Sequence, residues 1–175
     1  MADVDVGAQE GVLAAVSAAL GDLVARDRDL LRISAHELAT VHRFVVYLER
    51  RLQPEIERGQ LAVDLDYDRH GTGQKLLPGR PDQCGQRRCR PDLIVHHRGD
   101  DEQNLLVVEW KKNATNGMLA CLEKRVRSLL REDSYHYLLG VTVDSHDDGL
   151  RRRPYASGGA MGGWQHMTAG ESGEG

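Results

Sequence analysis

The sequence predicts an α/β domain in which a central mixed sheet is flanked by helices, with elements in the order ααβββαβ. Three observations predict it. Apolar residues recur at helical spacing over 11–31, 35–52 and 118–131. They alternate with polar residues over 61–67 and 105–111, the period of a half-buried strand. The third helix lies between two strands, as a crossover does.

The first helix carries Val12, Val16, Leu20, Leu23 and Leu30 on one stripe, interrupted by Asp27. The second places Leu38, Val41, Val45, Leu48 and Leu52 on one face. Ser34-Ala35-His36-Glu37 is a capping-box pattern at its start, and Pro54 and Gly59 are expected to end it. Leu61, Val63, Leu65 and Tyr67 then alternate with Ala62, Asp64 and Asp66. Residues 68–90, dense in glycine, proline and basic residues, read as a long loop. Residues 92–97 and 105–111 read as two strands around a polar turn. Leu119, Leu122, Val126 and Leu129 mark the crossover helix, and residues 137–143 the last strand. A single domain is expected over 1–148, with its N-terminal helix at 11–31 and its core at 34–145. The Gly-rich segment 149–175 is expected to be a flexible tail in which Trp164 is the one anchor.

With 175 residues, 40% hydrophobic and 29% charged, the composition is that of a globular domain. Three cysteines make no disulfide framework, and Cys121 is expected in the core. No apolar run suggests a membrane span and no basic-then-apolar start suggests a signal, so the expectation is a cytoplasmic protein with no membrane partner. Charge is uneven. Residues 1–74 carry 8 basic and 13 acidic side chains, 75–131 carry 12 and 7, and 132–175 carry 3 and 7. The middle third is therefore the place for a polyanionic partner.

Within 105–111, Glu109 and Lys111 share a face with Leu105 and Val107, where charges are costly unless compensated. A hairpin centred between Asp100 and Asp101 pairs residue i with residue 201 − i and sets Asp92 opposite Glu109. Opposed residues have Cβ atoms about 4.5–5.5 Å apart. Two carboxylates that close repel each other unless a proton or cation intervenes. A hard divalent ion, Mg²⁺ or Mn²⁺, resolves the conflict, with the Trp110 backbone carbonyl placed to complete the site. Lys111 lies on the same face. His36-Glu37 does not make a zinc-protease helix, because Thr40 stands where the second histidine belongs. His96 shares the face of Asp92 and is assigned a structural role.

Pro91-Asp92, 16 intervening residues and Glu109-Trp110-Lys111 resemble the PD-(D/E)XK signature of the restriction-endonuclease-like superfamily. Its αβββαβ core fits the element order. Together with Val63-Asp64-Leu65-Asp66-Tyr67-Asp68-Arg69 and Lys75, the motifs are similar to a group of uncharacterised bacterial members, over residues 30–145. The resemblance implies a Mg²⁺-dependent nuclease, acting on DNA rather than RNA and as an endonuclease. It implies Asp92 and Glu109 as metal ligands, Lys111 as catalytic lysine and Glu37 as the acid of the first core helix, although a capping box also accounts for Glu37. Asp64, Asp66 and Lys75 are accessory candidates. Arg80, Arg87, Arg88, Arg90, Lys112 and Arg125 are expected to contact nucleic acid, with Lys124, Arg127 and Arg131 of the crossover helix tracking the backbone. A homodimer is expected because many relatives of the core form one. The alternatives are a catalytically degenerate member that binds nucleic acid or protein, and a metal-dependent hydrolase of another substrate, which the acidic pI of 6.1 favours.

Overall fold

A computed structural model describes residues 2–33, 35–70, 73–74, 76, 89–99, 104–131 and 135–168. Helices α1 (Ala2–Arg26), α2 (Arg28–Arg32) and α3 (Glu37–Gly59) come first. Strand β1 (Ala62–Leu65), the small hairpin β2 (Arg69–His70) and β3 (Gly73–Gln74), and strands β4 (Leu93–His96) and β5 (Leu106–Lys112) follow. Helix α4 (Asn116–Leu129) leads to β6 (Leu139–His146), β7 (Gly149–Ala156), β8 (Gly159–Ala160) and β9 (Gln165–Thr168). The result is a mixed α/β fold whose seven-stranded sheet runs β1-β4-β5-β6-β7-β8, with β9 also paired to β7.

Among the described residues only β5 and β6 run parallel, which is what the intervening helix permits. Strand alternation divides the core in two. Leu106, Val108 and Trp110 of β5 pack with Leu20, Leu23, Phe44 and Leu48 of the N-terminal helices. Val107 of β5 and Ile94 of β4 face the other way, toward Val126 and Leu129 of α4. Trp110 is buried against Phe44, with ring centroids 5.6 Å apart, and its indole donates to Ser145 Oγ at 3.0 Å.

The hairpin register is the expected one. Leu93 pairs with Val108, Ile94 with Val107 and Val95 with Leu106, each pair summing to 201. Four other expectations fail for local reasons. The first helix does not run unbroken to 31; it stops at Arg26, and Asp27, the residue that spoils the stripe, stands at the position before α2 without a side-chain cap. Asp27 accepts from Arg43 Nε at 2.9 Å and from the Tyr47 hydroxyl, so the break ties α1 to α3. Helix α3 continues through Pro54 to Gly59, because Pro54 lies on the exposed side, where the carbonyl it frees meets water. The expected capping box is absent: His36 is the N-cap, its Nδ1 accepting from Leu38 N at 3.3 Å, which leaves Glu37 in the first helical position. Cys121 is not a core residue either; it is half-buried and disulfide-bonded.

The flexible tail is the largest correction. Residues 149–168 form three strands, and β7 pairs with β6 over seven residue pairs. Leu150 and Tyr155 are buried in opposite cores, while Trp164 lies over the Arg151 guanidinium at 5.0 Å. The first helix corrects a further expectation: Val6–Arg26, with a hydropathy of 1.3, is by length and composition apolar enough to cross a membrane. In the fold its residues Val12, Val16, Ala19, Leu20 and Leu23 line the core.

Truncation after Asp148 removes β7 with its Leu150 and Tyr155. Burial of two such side chains stabilises by several kcal/mol, so the melting temperature is expected to fall by about 10 °C or more, or cooperative unfolding to vanish. Circular dichroism melts of the truncated and full chains check this.

Candidate functional site

The site is built where β4 begins and β5 ends. Asp66 closes β1 with a left-handed backbone, φ 55°, and its N–H donates to the Asp92 carbonyl at 3.2 Å. Asp92 lies just outside β4, and its carboxylate oxygen takes the Trp110 N–H at 2.7 Å. A side chain thus occupies the ladder position next to Glu109. The Asp92 backbone and carboxylate are both fixed, and the carboxylate points at the strand that carries the second acid.

Glu109 is fully buried. Neither of its carboxylate oxygens has a hydrogen-bond partner. Its compensation is an ion pair: Arg125 Nη2 of α4 stands 3.1 Å from Oε1, outside hydrogen-bond geometry. Arg125 also donates to the Arg90 carbonyl at 3.4 Å. Burial raises the Glu109 carboxyl well above its ordinary range, against the attraction of Arg125, and the charges of Asp92 and Glu37 raise it further. Burial likewise raises Asp92 to about 6, against the Trp110 hydrogen bond, with Glu37 adding to the rise.

Glu37 approaches from the start of α3. Its Oε2 accepts from Lys112 N at 2.9 Å and its Oε1 from Lys111 Nζ at 3.1 Å. Freed from a capping role, this carboxylate joins the first helix of the core to the end of β5. All four residues expected at the centre, Glu37, Asp92, Glu109 and Lys111, are therefore brought together. They carry three carboxylates and one ammonium; Arg125 adds a second cation, which leaves the cluster one positive charge short.

The other candidates scatter. Asp64 lies away from the carboxylates, bonded to Arg98 and to buried His96, and the Arg98 hydrogen bonds hold its carboxyl below the ordinary range against burial. Asp66 pairs with Arg90 at 2.5 Å. Lys112 is tied to the Leu31 carbonyl at 2.5 Å and to Asp147 at 3.2 Å, and does not face outward for nucleic acid. Arg125 belongs to the acid cluster rather than to an outer track. Lys75, Arg80, Arg87 and Arg88 fall outside the described residues.

Sequence reasoning missed Asp144. It is fully buried, sits opposite Lys111 on the neighbouring strand, and accepts from Ala114 N at 2.9 Å and Arg151 Nε at 3.0 Å. Asp144 thereby fixes the approach to α4 beside the site. The signal was alternation, Thr142 and Asp144 against Val141 and Val143, in a strand read as ending too early.

Among the described residues, no group of three His, Cys, Asp or Glu side chains stands ready-made around a metal. What the arrangement supplies is two adjacent buried acids, one with both oxygens lacking hydrogen-bond partners, and a lysine held beside them. No family model, curated protein or solved structure matches the chain.

Protonation links this cluster to stability. A carboxyl with a raised folded-state pKa binds its proton more tightly folded than unfolded, so the Asp92 contribution to stability declines as pH rises from about 4 to about 6 and is constant above, and the raised Glu109 carboxyl adds a decline of the same sign. Asp92→Asn is expected to flatten this slope and to stabilise the metal-free protein above pH 6 by on the order of 2 kcal/mol. Urea titrations at pH 4.5, 5.5 and 7 check it, provided both proteins share one unfolding slope.

Proposed function

We propose that the protein is a Mg²⁺-dependent nuclease built on a restriction-endonuclease-like core, with DNA as its substrate. The observation that carries the reading is the convergence of Asp92, Glu109, Lys111 and Glu37 at one end of β5. The order α3, β1, β4, β5, α4, β6, with β1-β4-β5 antiparallel and β6 parallel to β5, supports the reading, since it is compatible with an αβββαβ core.

A divalent ion fits the donors. Hard carboxylate oxygens are its preferred ligands, and the cluster lacks one positive charge. Asp92 and Glu109 would hold it, with the Trp110 carbonyl as the third protein donor. A bound Mg²⁺ supplies Lewis acidity toward a phosphate and a water of lowered pKa. The chain's own part is positioning. Glu37 holds the Lys111 ammonium at the strand end, where it can balance charge that develops on a phosphate oxygen. The Trp110 hydrogen bond fixes the orientation of Asp92.

One contact favours a second reading. Arg125 already neutralises Glu109, as in a catalytically degenerate member that keeps the fold to bind nucleic acid or a protein. Loading an ion would require the guanidinium to yield Oε1 or share the carboxylate. Metal titration separates the two readings.

Calorimetric titration with Mn²⁺ is expected to show binding that weakens below about pH 6, where Asp92 takes up a proton that competes with the ion, and the raised Glu109 carboxyl acts in the same direction. Glu109→Gln is expected to abolish the binding; unchanged affinity in that variant overturns the metal assignment. In a supercoiled-plasmid assay with Mg²⁺, Lys111→Ala is expected to lose cleavage by about a hundredfold or more while retaining affinity for duplex DNA. A parent protein that binds Mn²⁺ but cuts no DNA or RNA tried would shift the reading to a hydrolase of another substrate.

A further inference from the structure

Arg125 stands against Glu109 without being hydrogen-bonded to it. Its Nη2 is 3.1 Å from Oε1, yet neither oxygen of the fully buried carboxylate has a hydrogen-bond partner. The hydrogen bonds of the guanidinium go elsewhere. Nη2 donates to the Arg90 carbonyl at 3.4 Å, and the side chain also bonds that of Cys89, a fully buried thiol. One guanidinium thus lends its charge to β5 and its hydrogen bonds to residues 89 and 90.

A divalent ion at Glu109 sets these two roles against each other. When Glu37, Asp92 and Glu109 are all ionised, Lys111 and Arg125 leave the cluster one positive charge short. With Arg125 withdrawn, Lys111 alone faces the three acids and the deficit is two, the charge of the ion. Ion and guanidinium on one buried carboxylate repel each other, and burial removes the water that would screen them. The guanidinium has a second seat already built. Its acceptors at Cys89 and Arg90 are in use, so leaving Glu109 does not strand it without hydrogen bonds. Residues 89 and 90 lead through buried Pro91, whose ring fixes φ, into Asp92, the other acid.

We propose that Arg125 is the internal counter-ion of the metal site, giving up Glu109 to an arriving divalent ion and remaining on Cys89 and the Arg90 carbonyl. The inference rests on the metal reading of the site and goes beyond it in naming what the ion displaces. In the metal-free protein the guanidinium offsets the cost of a buried carboxylate. Affinity for the ion is then set by a contest between two cations, not by the ligands alone. Removing the charge of Arg125 strengthens ion binding. Removing its second anchor weakens ion binding, because the displaced guanidinium has less to hold.

The full chain and its variants are titrated calorimetrically with Mn²⁺ at pH 8, where protons compete little with the ion. Arg125→Gln, neutral and still able to donate to Glu109, is expected to bind Mn²⁺ at least about tenfold more tightly than the parent. Adding Glu109→Gln to that variant is expected to abolish the gain, which locates the effect at this carboxylate. Cys89→Ala leaves the Arg125–Glu109 pair in place and removes the second anchor. It is expected to bind Mn²⁺ about threefold or more weakly, and it decides the matter should Arg125→Gln fail to fold. Binding by Arg125→Gln where the parent shows none also supports the proposal. With a parent that binds Mn²⁺, equal or weaker binding by Arg125→Gln, or equal or tighter binding by Cys89→Ala, overturns the proposal and leaves the metal reading standing. Absence of Mn²⁺ binding in the parent and in Arg125→Gln overturns both.

Discussion

Keeping the Glu109 carboxylate inside the molecule is the constraint on which the arrangement around it depends. An isolated buried carboxylate costs several kcal/mol even after relaxation, far more than a surface ion pair returns. Glu109 is fully buried between the sheet and α4, with Val107 and Ile94 close by in the same layer. Its cation therefore has to come from the layer that covers it, and Arg125 supplies it. That choice fixes the rotation of α4, since the residue whose long arm reaches Glu109 also sets Leu122, Val126 and Leu129 toward the sheet. The close fit of α4 on β6 follows: Gly140 has no room for a Cβ, which would meet Val126 Cγ1 at 2.3 Å.

The same constraint explains why the site draws on both faces of the sheet. Glu109 and Lys111 point toward α4, while Trp110 between them anchors the opposite core against Phe44. A strand alternating in this way cannot slip by one residue without turning Glu109 and Lys111 into the apolar core that holds Trp110. Glu37 crosses from the N-terminal layer at the strand's end, where the sheet no longer separates the two faces. One carboxylate there accepts from both Lys111 and Lys112, so the first turn of α3 and the last residues of β5 are held as one unit. Movement of α3 would therefore be felt at Lys111 before it was felt anywhere else in the site.

The parts of this plan that were legible in the sequence are those set by short-range periodicity. The β4–β5 register followed from two apolar runs and the turn between them, and it alone placed Asp92 beside Glu109. The face of α4 followed from its leucines and Val126. What was not legible depends on partners distant in sequence. Arg151-Arg152-Arg153 reads as a polar tail because three consecutive arginines fit no half-buried strand. In the fold, Arg151 is held by Asp144 and Trp164, and Arg153 by Glu123 and the Gly162 carbonyl. Arg152 is buried with two of its nitrogens unpartnered, and burial lowers its pKa. Pro54 and Asp27 misled for the opposite reason. Each was judged by its intrinsic preference, and each sits where solvent or a neighbouring helix meets the need it creates.

Arg125 also gives the site a physical asymmetry. Its guanidinium balances Glu109 but leaves the pair Asp92 and Glu37 with Lys111 alone, and like-charge repulsion then adds to burial in raising the Asp92 carboxyl. A cation arriving between Asp92 and Glu109 would relieve both acids at once, whereas a proton relieves only one. That difference grows with pH, because above about pH 6 Asp92 loses its proton and a cation gains in advantage over a proton at the pair. The ion would meet Arg125 on the same carboxylate, so affinity for the metal and the seating of α4 on the sheet draw on one charge. On the proposed reading, ion occupancy at Glu109 and the position of α4 would be coupled through Arg125, and each would shift the free energy of the other.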